Sequence, residues 1–547
     1  MQFSASNRKR WLSEMEEETL DVLVVGGGIT GAGIALDAAT RGLTVGLVEK
    51  QDFGGGTSSR STKLIHGGLR YLKQMEFNLV REVGRERALL YERAPHIVIP
   101  APMMLPIYQG GTYGKWASSV GLLVYDRLAG VKKEERRRMM SREETLKREP
   151  LLTDRGLKGS GLYVEYRTDD ARLTLEVMKT AASHGAKAVN YTEVISFLYD
   201  NGRVIGAEVR DQAGGGTYRI RAREVVNAAG PWVDELRKKD QSLEGKHLHL
   251  TKGVHLVVPH ERFPLRQPIY FDVPDGRMVF AIPRGRTTYV GTTDTDYIGS
   301  IDKPVMTEED RDYLLKGVNH VFPTVDLKPK DVESGWAGLR PLIHEEGKSP
   351  SELSRKDEIF QSSSGLITIA GGKLTGFRKM AERVVDLVAK RLADAGVRES
   401  GICRTDQVAL IGGGNLGSDG FSRFREEWTD RMEQAGVERS RAEALIHLYG
   451  LQIEGVWERA EERPDRLTAA QVDFAMEEEM AIRAVDFLVR RTGSLFFDRP
   501  RSEADAPQVL EQMAESLDWD DERKRMEQAM LEQEQKQTHP PLAEKTG

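Results

Sequence analysis

The stretch DVLVVGGGITGAGIALDAATRGLTVGLVEK, residues 21–50, decides the fold class of this sequence. An apolar strand from Asp21 to Val25 leads into a glycine-rich turn, then a helix from about Thr30 to Arg41 and a second strand from Leu43 to Glu49. Two apolar strands joined by a helix form one βαβ unit, which begins a parallel sheet. The sequence therefore predicts an α/β domain near its N-terminal end.

The glycines of this turn follow the pattern G-x-G-x-x-G at Gly26, Gly28 and Gly31. Glycine is needed there because the turn is tight, a pyrophosphate must approach the backbone, and the helix must pack closely on its strand. Glu49 ends the second strand, where a carboxylate can accept hydrogen bonds from ribose hydroxyls. We expect this unit to bind a dinucleotide, the alternative being a purely structural glycine turn.

Two later glycine-rich segments bear on which dinucleotide is bound: VVNAAGPW, residues 225–232, and IAGGKLTGF, residues 369–377. FAD must be held at both ends of a longer molecule, whereas a nicotinamide enzyme needs little more than its first half, so FAD fits better. The helix beginning near Leu374 would point its N-terminal amides at the flavin oxygen that becomes negative on reduction. An ordinary strand-to-helix loop is the alternative.

The rest of the chain changes character twice. From about Lys246 to Asp296, short alternating strands predict a mostly antiparallel sheet, and beyond about Arg404 the sequence becomes helical and charged. The predicted fold is α/β: a Rossmann-like FAD-binding domain, an inserted, mostly antiparallel substrate-binding domain, and a C-terminal α-helical domain. The predicted boundaries are 19–100, 160–240 and 355–400 for the FAD-binding domain, 101–159 and 241–354 for the substrate-binding region, 401–536 for the helical domain, and 537–547 for a flexible tail.

Composition excludes several classes of protein. A chain of 547 residues is too long for one hydrophobic core, and a net charge of −6 gives no field suited to DNA or RNA, so nucleic acid is not an expected partner. The single cysteine, Cys403, cannot form an intrachain disulfide, and no cysteine or histidine spacing suggests a metal site. No run of about 20 apolar residues predicts a membrane span.

Seven segments resemble a known family: VVGGGITGAGIALDAATRGL, TSSRSTKLIHGGLRYL, VVNAAGPW, TKGVHLVV, VGTTDTDY, GLRPL and GGKLTGFRKMAE. On these segments, which span about Asp21 to Glu382, the chain resembles the respiratory, FAD-dependent glycerol-3-phosphate dehydrogenases, within the group that includes glycine and D-amino-acid oxidases. The family's helical C-terminal domain would account for most of the rest. The resemblance implies oxidation of sn-glycerol 3-phosphate to dihydroxyacetone phosphate, with electrons passing from FAD to a quinone.

That reaction requires a base for the hydroxyl proton, a cationic donor for the developing carbonyl oxygen, and a clamp for the phosphate. His255 and His66 are the candidate bases, with His255 favoured, although His255 in its alternating strand could instead face solvent. Arg340 in GLRPL, which the resemblance places facing the substrate, is the candidate donor; a surface turn is the alternative. By the same resemblance, Arg70, Tyr71 and Lys373 are the candidate phosphate ligands, which completes the predicted catalytic and substrate-binding set.

The predicted cofactor-binding residues come from the glycine-rich segments and their neighbours. They are Gly26, Gly28, Ile29, Thr30, Gly31, Glu49, Thr57, Ser58, Lys63, Leu64, Gly67, Gly68, Val194, Ala228, Gly230, Trp232, Gly372, Lys373, Leu374 and Thr375. Gly67 and Gly68 would let the backbone pass close to the flavin, while Arg60 and Lys63 have supporting positions. No metal ligand is predicted.

A quinone acceptor requires access to the bilayer. The segment 115–138 carries Trp116 and an apolar stretch followed by basic residues, a combination that could lie on an anionic membrane surface. A packed helix followed by a solvated one is the alternative, because Glu134 and Glu135 dilute the charge. We expect a cytoplasmic protein, with peripheral attachment to the inner face of the cell membrane as a further hypothesis. The oligomeric state is left open, a homodimer being one hypothesis.

Three other functions compete with this one. An α-glycerophosphate oxidase would pass its electrons to oxygen, but the oxidases of this group carry an extra segment in the substrate-binding region, where this chain is compact. An amine or amino-acid oxidase would need a carboxylate clamp, whereas the surplus of basic groups here suits a phosphate better. The third is a non-enzymatic flavin-binding protein that docks to partners through its helical domain.

Overall fold

A computed structural model of the chain describes residues 3–66, 77–111, 136–344 and 357–539. Two β-sheets face each other across a cavity, and a set of helices follows them at the C-terminal end. The predicted fold class is thereby confirmed, while the residue boundaries of the predicted domains stay a prediction. Most of the basic segment 115–138 lies outside the described residues.

The strands of the described ranges are numbered in chain order: β1 (Thr19–Val25), β2 (Val45–Val48), β3 (Leu64–Ile65), β4 (Val98–Tyr108), β5 (Arg138–Met140), β6 (Leu157–Thr168), β7 (Lys187–Val189), β8 (Thr192–Asp200), β9 (Arg203–Asp211), β10 (Thr217–Asn227), β11 (Leu248–Pro259), β12 (Ile269–Asp272), β13 (Met278–Arg284), β14 (Thr287–Gly291), β15 (Thr295–Asp296), β16 (Ser334–Ile343), β17 (Asp357–Gln361) and β18 (Ile367–Gly371). The α-helices are α1 (Arg8–Glu17), α2 (Ile29–Thr40), α3 (Phe77–Arg93), α4 (Arg142–Arg148), α5 (Asp170–Ser183), α6 (Val233–Lys239), α7 (Glu308–Val321), α8 (Phe377–Asp394), α9 (Gly417–Gln434), α10 (Arg439–Tyr449), α11 (Ile453–Arg459), α12 (Leu467–Glu478), α13 (Ser494–Phe497), α14 (Arg499–Ser516) and α15 (Asp521–Thr538).

The first sheet contains the predicted βαβ unit. Its strand order is β17-β18-β10-β1-β2-β7, and the β8–β9 hairpin extends it from β10. Strand β1 is parallel to both of its neighbours, β2 and β10, and β18 is parallel to β10. The carboxyl ends of β1, β10 and β18 therefore meet at one edge, and each leads into a glycine-rich segment. Ligands bind at this edge of open α/β sheets.

Helix α8 covers this sheet with an apolar face. Phe377, Ala381, Val384 and Val388 recur every three or four residues and are all buried. The helix packs against α2 at Gly33, where an added Cβ would lie 2.9 Å from the Phe377 ring. This close contact fixes the third glycine-rich segment, just before α8, beside the first.

The second sheet is mostly antiparallel, as the alternating pattern predicts, and includes antiparallel pairing of β11 with β14, β14 with β13, and β13 with β12. Strand β16 pairs with β11 on its other side, which sets Trp336 opposite His255 and Arg340 opposite Thr251. Side chains of directly opposed residues share a face of a sheet. The two predicted catalytic strands thus present their side chains on the same face.

The helical domain packs against both sheets. Phe496 and Phe497 of α13 lie against the ring of Trp336 in β16, at centroid distances of 5.3 and 5.6 Å. Buried ion pairs face the first sheet, and one of them joins Arg172 of α5 to Glu479 at 2.5 Å. A π-helix, Asp486–Arg491, follows α12 and points toward the loop after β2. In the described ranges, none of the helices is long and apolar enough to span a bilayer.

Candidate functional site

A cavity of about 1810 Å³, counted with its opening to solvent, lies between the glycine-rich edge of the first sheet and strands β11 and β16 of the second. It brings together residues that are far apart in the sequence. The predicted site residues that line it are Gly26, Gly28, Ile29, Thr30, Glu49, Thr57, Ser58, Leu64, His66, Val194, Ala228, Gly230, Trp232, His255, Arg340, Gly372, Lys373 and Leu374.

Three predicted residues lie behind this lining. Gly31 packs under the glycine-rich turn, Lys63 forms a buried ion pair with Asp170 at 2.5 Å, and the Thr375 hydroxyl donates to the His66 carbonyl oxygen at 3.3 Å. These contacts shape the walls of the cavity from behind. The predicted residues Gly67, Gly68, Arg70 and Tyr71 lie outside the described residues.

The glycine-rich turn has the geometry that a dinucleotide needs. Gly26 has a φ of +115°, and a Cβ on Gly31 would lie 1.8 Å from the Gly26 carbonyl oxygen. The Glu49 carboxylate accepts hydrogen bonds from the amides of Gly27 at 2.6 Å and Gln51 at 2.8 Å, although its burial raises the pKa of this group. The turn is thus held by backbone contacts, and the start of α2 is left on the cavity wall for a pyrophosphate. The residues present fit FAD.

A methyl group at Gly31 should weaken cofactor binding. We expect Gly31→Ala to lower the affinity for FAD by about tenfold or more, since overpacking typically costs about 1–3 kcal/mol and about 1.4 kcal/mol is tenfold. The flavin absorbance per protein after gel filtration measures the effect. Gly455→Ala is the matched control, because a Cβ there would lie 3.3 Å from the flexible end of Arg459 and at an ordinary contact distance of 4.0 Å from the Phe474 ring. Equal flavin content in both variants would contradict the prediction.

His255 is buried in the cavity wall, with 1% of its surface exposed, so it does not face solvent. Its Nε2 lies 3.0 Å from the hydroxyl of Thr62, which also lines the cavity, and its ring stacks on Trp336 at a centroid distance of 4.8 Å. Burial, together with the positive charges of Arg340 and Lys63, lowers the pKa of His255 well below its ordinary value. The imidazole is therefore neutral at neutral pH and able to accept a proton.

His66, the other candidate base, is half-buried and lines the same cavity. Its carbonyl oxygen accepts hydrogen bonds from the Lys373 ammonium at 2.5 Å and from the Thr375 hydroxyl. Its ring meets Phe280 edge to face at 6.0 Å. The backbone of His66 thus ties the RSTKLIH segment to the segment that precedes α8.

Arg340 is held in place by the TTD segment of residues 292–294. Its Nη1 donates to the Asp294 carboxylate at 3.1 Å, and its Nη2 donates to the Thr292 hydroxyl at 2.9 Å. The guanidinium crosses Gly253, where an added Cβ would lie 2.4 Å from Nη2. Arg340 is therefore a mostly buried, oriented cation on the face that carries His255, and not a residue of a surface turn.

Sequence reasoning missed several residues that shape the cavity, and three of them hold predicted side chains in place. Thr62 and Trp336 fix the His255 ring, and Asp302 accepts hydrogen bonds from Lys50 at 2.6 Å and from the Trp232 indole at 2.8 Å. Trp336 lies four residues before Arg340 on the same strand, but only the pairing of β16 with β11 brings it to His255. Asp302 lies in a polar loop that has no distinguishing pattern.

Two families match the sequence. The family described as FAD dependent oxidoreductase matches residues 21–381, and the C-terminal domain of alpha-glycerophosphate oxidase matches residues 403–524. The aerobic glycerol-3-phosphate dehydrogenase of Bacillus subtilis (strain 168) is 53% identical over 531 residues, covering 96% of each chain. The protein of that name from Staphylococcus aureus (strain USA300) is 49% identical over 528 residues, covering 95% of each chain.

Two solved structures are also similar to this chain. The glycerol-3-phosphate dehydrogenase from Bacillus halodurans complexed with FAD is 48% identical, with a TM-score of 0.85 over 99% of each chain. The L-alpha-glycerophosphate oxidase from Mycoplasma pneumoniae with FAD bound is 20% identical, with a TM-score of 0.54 over 68% of this chain and 95% of that one. The second likeness shows the fold alone.

Proposed function

We propose that this chain, which belongs to the family of aerobic glycerol-3-phosphate dehydrogenases within the FAD-dependent oxidoreductases, oxidises sn-glycerol 3-phosphate to dihydroxyacetone phosphate and delivers the electrons to a quinone. FAD is its cofactor and, when bound, accepts the hydride from the substrate carbon. The observation that carries the proposal is the cavity in which a dinucleotide turn faces both a buried neutral histidine and an oriented arginine.

His255 takes the hydroxyl proton in this proposal. Its Nε2 is the accepting atom, because this end of the ring lies beside Thr62 on the cavity wall. The stacked Trp336 ring and the Thr62 hydroxyl restrict rotation of the imidazole, which keeps the acceptor aimed at the substrate. Because only 1% of the His255 surface is exposed, proton transfer from a bound substrate is favoured over exchange with solvent.

Arg340 orients the substrate oxygen and stabilises the negative charge that develops on it as the proton leaves. Asp294 and Thr292 support this role, because they hold the guanidinium before substrate arrives. For the phosphate we retain Arg70, Tyr71 and Lys373. The position of Lys373 in the cavity lining supports its part in this set.

The acceptor is tested by anaerobic titration of the FAD-loaded protein with glycerol 3-phosphate, followed by reoxidation. We expect the substrate to bleach the flavin, and we expect a quinone analogue to restore the colour faster than air-saturated buffer does. Reoxidation by oxygen with stoichiometric hydrogen peroxide would instead identify an α-glycerophosphate oxidase. A flavin that no glycerol phosphate bleaches would contradict the proposed reaction itself.

Delivery to a membrane quinone leads us to propose peripheral attachment at the inner face of the cell membrane, through the basic segment 115–138. We expect the FAD-loaded protein to float with anionic liposomes at low salt and to detach at high salt, because the attraction of lysine and arginine to acidic lipids is screened by salt. Neutral liposomes are the control. Absence of binding to anionic liposomes at low salt would contradict the attachment.

A further inference from the structure

The loop between β2 and the RSTKLIH segment contains a buried acid, Asp52, with 1% of its surface exposed. This loop forms one wall of the cofactor cavity through Glu49, Gly55 and Gly56. It also touches the dinucleotide turn, because the Gly54 amide donates to the Gly27 carbonyl oxygen at 3.0 Å. The conformation of residues 49–56 therefore determines the shape of the wall against which the cofactor lies.

Two consecutive arginines of the helical domain hold Asp52. Arg490 donates from Nε to Oδ2 at 2.5 Å, while Arg491 contacts both carboxylate oxygens, its Nη2 lying 2.9 Å from Oδ1. Both guanidinium groups come from the π-helix Asp486–Arg491. Neighbouring side chains diverge on an α-helix, so this local geometry lets two of them meet one acid.

Further buried polar groups bind Asp52 and its arginines. Asn190 donates to Asp52 Oδ1 at 2.9 Å, and Arg490 also binds Asp486, which accepts the Tyr191 hydroxyl at 2.5 Å. Burial alone would raise the pKa of Asp52, but the charges of Arg491 and Arg490 lower it below its ordinary value. Asp52 is thus a buried carboxylate whose charge is offset by groups some 440 residues later in the sequence. Loss of either arginine would leave a buried charge under-compensated, a strongly destabilising change.

We propose that Arg490 and Arg491 are positioning residues that hold loop 49–56 in its FAD-binding conformation through Asp52. The helical domain is then part of the cofactor-binding machinery, although it contributes no residue to the cavity lining of the described part. This inference rests on FAD as the cofactor of the proposed function, but it concerns affinity for FAD and is independent of the reaction that follows.

The experiment measures the dissociation constant of FAD by fluorescence of the released flavin, at a temperature well below unfolding. We expect Asp52→Asn and Arg491→Met each to raise it by about tenfold or more, equivalent to about 1.4 kcal/mol. The double variant should add little to Asp52→Asn, because that change already disrupts the contact with Arg491. Arg491→Lys, which keeps the charge but not the paired hydrogen bonds, should restore part of the affinity.

Arg172→Met is the matched control. It breaks an equally buried ion pair between the same parts of the protein, Arg172 to Glu479, without touching loop 49–56, and it leaves Lys179 beside Glu479 at 3.3 Å. Arg491 also donates to Glu479 at 2.8 Å, but the acceptor is the backbone carbonyl oxygen, which the change leaves in place. We expect this variant to melt at a lower temperature with its FAD affinity unchanged. If Arg172→Met weakens FAD binding as much as the loop variants do, the effect comes from general destabilisation of the fold, and the proposal is overturned. An unchanged dissociation constant in Asp52→Asn would overturn it as well. If Arg491→Met does not fold, the isosteric Asp52→Asn decides; wild-type protein that binds no FAD would instead refute the proposed function.

Discussion

Replacement of His255 by asparagine is expected to slow anaerobic bleaching of the flavin by glycerol 3-phosphate by about 10²–10⁴-fold, the usual contribution of a positioned general base. Asparagine keeps a polar side chain beside Thr62 but cannot accept the substrate proton at neutral pH. Stopped-flow absorbance at saturating substrate isolates this step from reoxidation. The effect should appear in the rate constant for bleaching and leave FAD content unchanged.

Two further histidine variants test whether the slower bleaching is due to His255 itself. His66→Asn tests the other candidate base in the cavity, and a larger effect there would transfer the role to His66. His260→Asn is the matched control, since this half-buried histidine also lies beside a threonine hydroxyl, Thr288 at 3.1 Å, but outside the cavity lining. Undiminished bleaching in His255→Asn would remove His255 as the base.

The pH dependence follows from the lowered pKa of His255. The neutral ring is the active form, so activity is lost only when the pH falls through this lowered pKa, which lies below the ordinary value of about 6.5. The wild-type kcat/KM should therefore stay on its plateau through pH 6.5. The phosphate of the substrate titrates near pH 6, as other phosphomonoesters do, and this also changes kcat/KM. The pH profile of the residual activity of His255→Asn measures that contribution, so that it can be subtracted from the wild-type profile. The wild-type kcat/KM could instead fall with a midpoint at or above pH 6.5, with no such fall in His255→Asn. That result would contradict a buried base.

Replacement of Arg340 by methionine should lower kcat/KM for glycerol 3-phosphate by about 10²–10³-fold, as expected for loss of one donor to a developing oxyanion. The decrease should lie mainly in kcat, because the charge on oxygen develops only as the proton leaves. Arg340→Lys should recover part of it, since an ammonium supplies charge but not two fixed donors. Steady-state kinetics with an artificial electron acceptor measures both variants.

The matched control for Arg340 is Arg286→Met. Arg286 also forms an ion pair, donating twice to Glu333 at 2.7 Å, but it lies at an exposed turn of the same sheet. We expect its kcat/KM to equal that of the wild type. Unchanged kcat/KM in Arg340→Met would show that the substrate oxygen is oriented by another group.

The features that could be predicted from the sequence are those with a local signature. The glycines at 26, 28 and 31 and the apolar spacing of α8 are each specified within one turn or helix, and the alternation in β11, β13 and β14 indicates an antiparallel sheet without further information. Once the family resemblance is added, short motifs supply many of the residues that line the cavity. Local patterns thus sufficed for the fold class, and they placed much of the predicted site in one cavity.

What escaped prediction depends on contacts between distant parts of the chain. Trp336 stacks on His255 because β16 pairs with β11 in one register, and a register is not visible in either strand alone. Arg490 and Arg491 belong to a charged helical sequence like many on a solvated surface, and only the packing of the helical domain buries them against Asp52. The sequence around Asp52 and the sequence around Arg490 and Arg491 show no pattern that would predict their contact.

The order of strands in the first sheet has a consequence for biosynthesis. Strand β1 is complete at residue 25, but β18, which closes the far side of the cavity edge, ends only at residue 371, and the arginines that hold Asp52 come at 490 and 491. At about 5–20 residues per second, translation takes about 20–90 s to pass from the first of these points to the last. A nascent chain on the ribosome therefore exposes the glycine-rich turn long before its binding cavity exists. Flavin incorporation is then expected late in synthesis, because a chain that stalls before the π-helix has the residues of the cavity lining but not the arginines that hold Asp52.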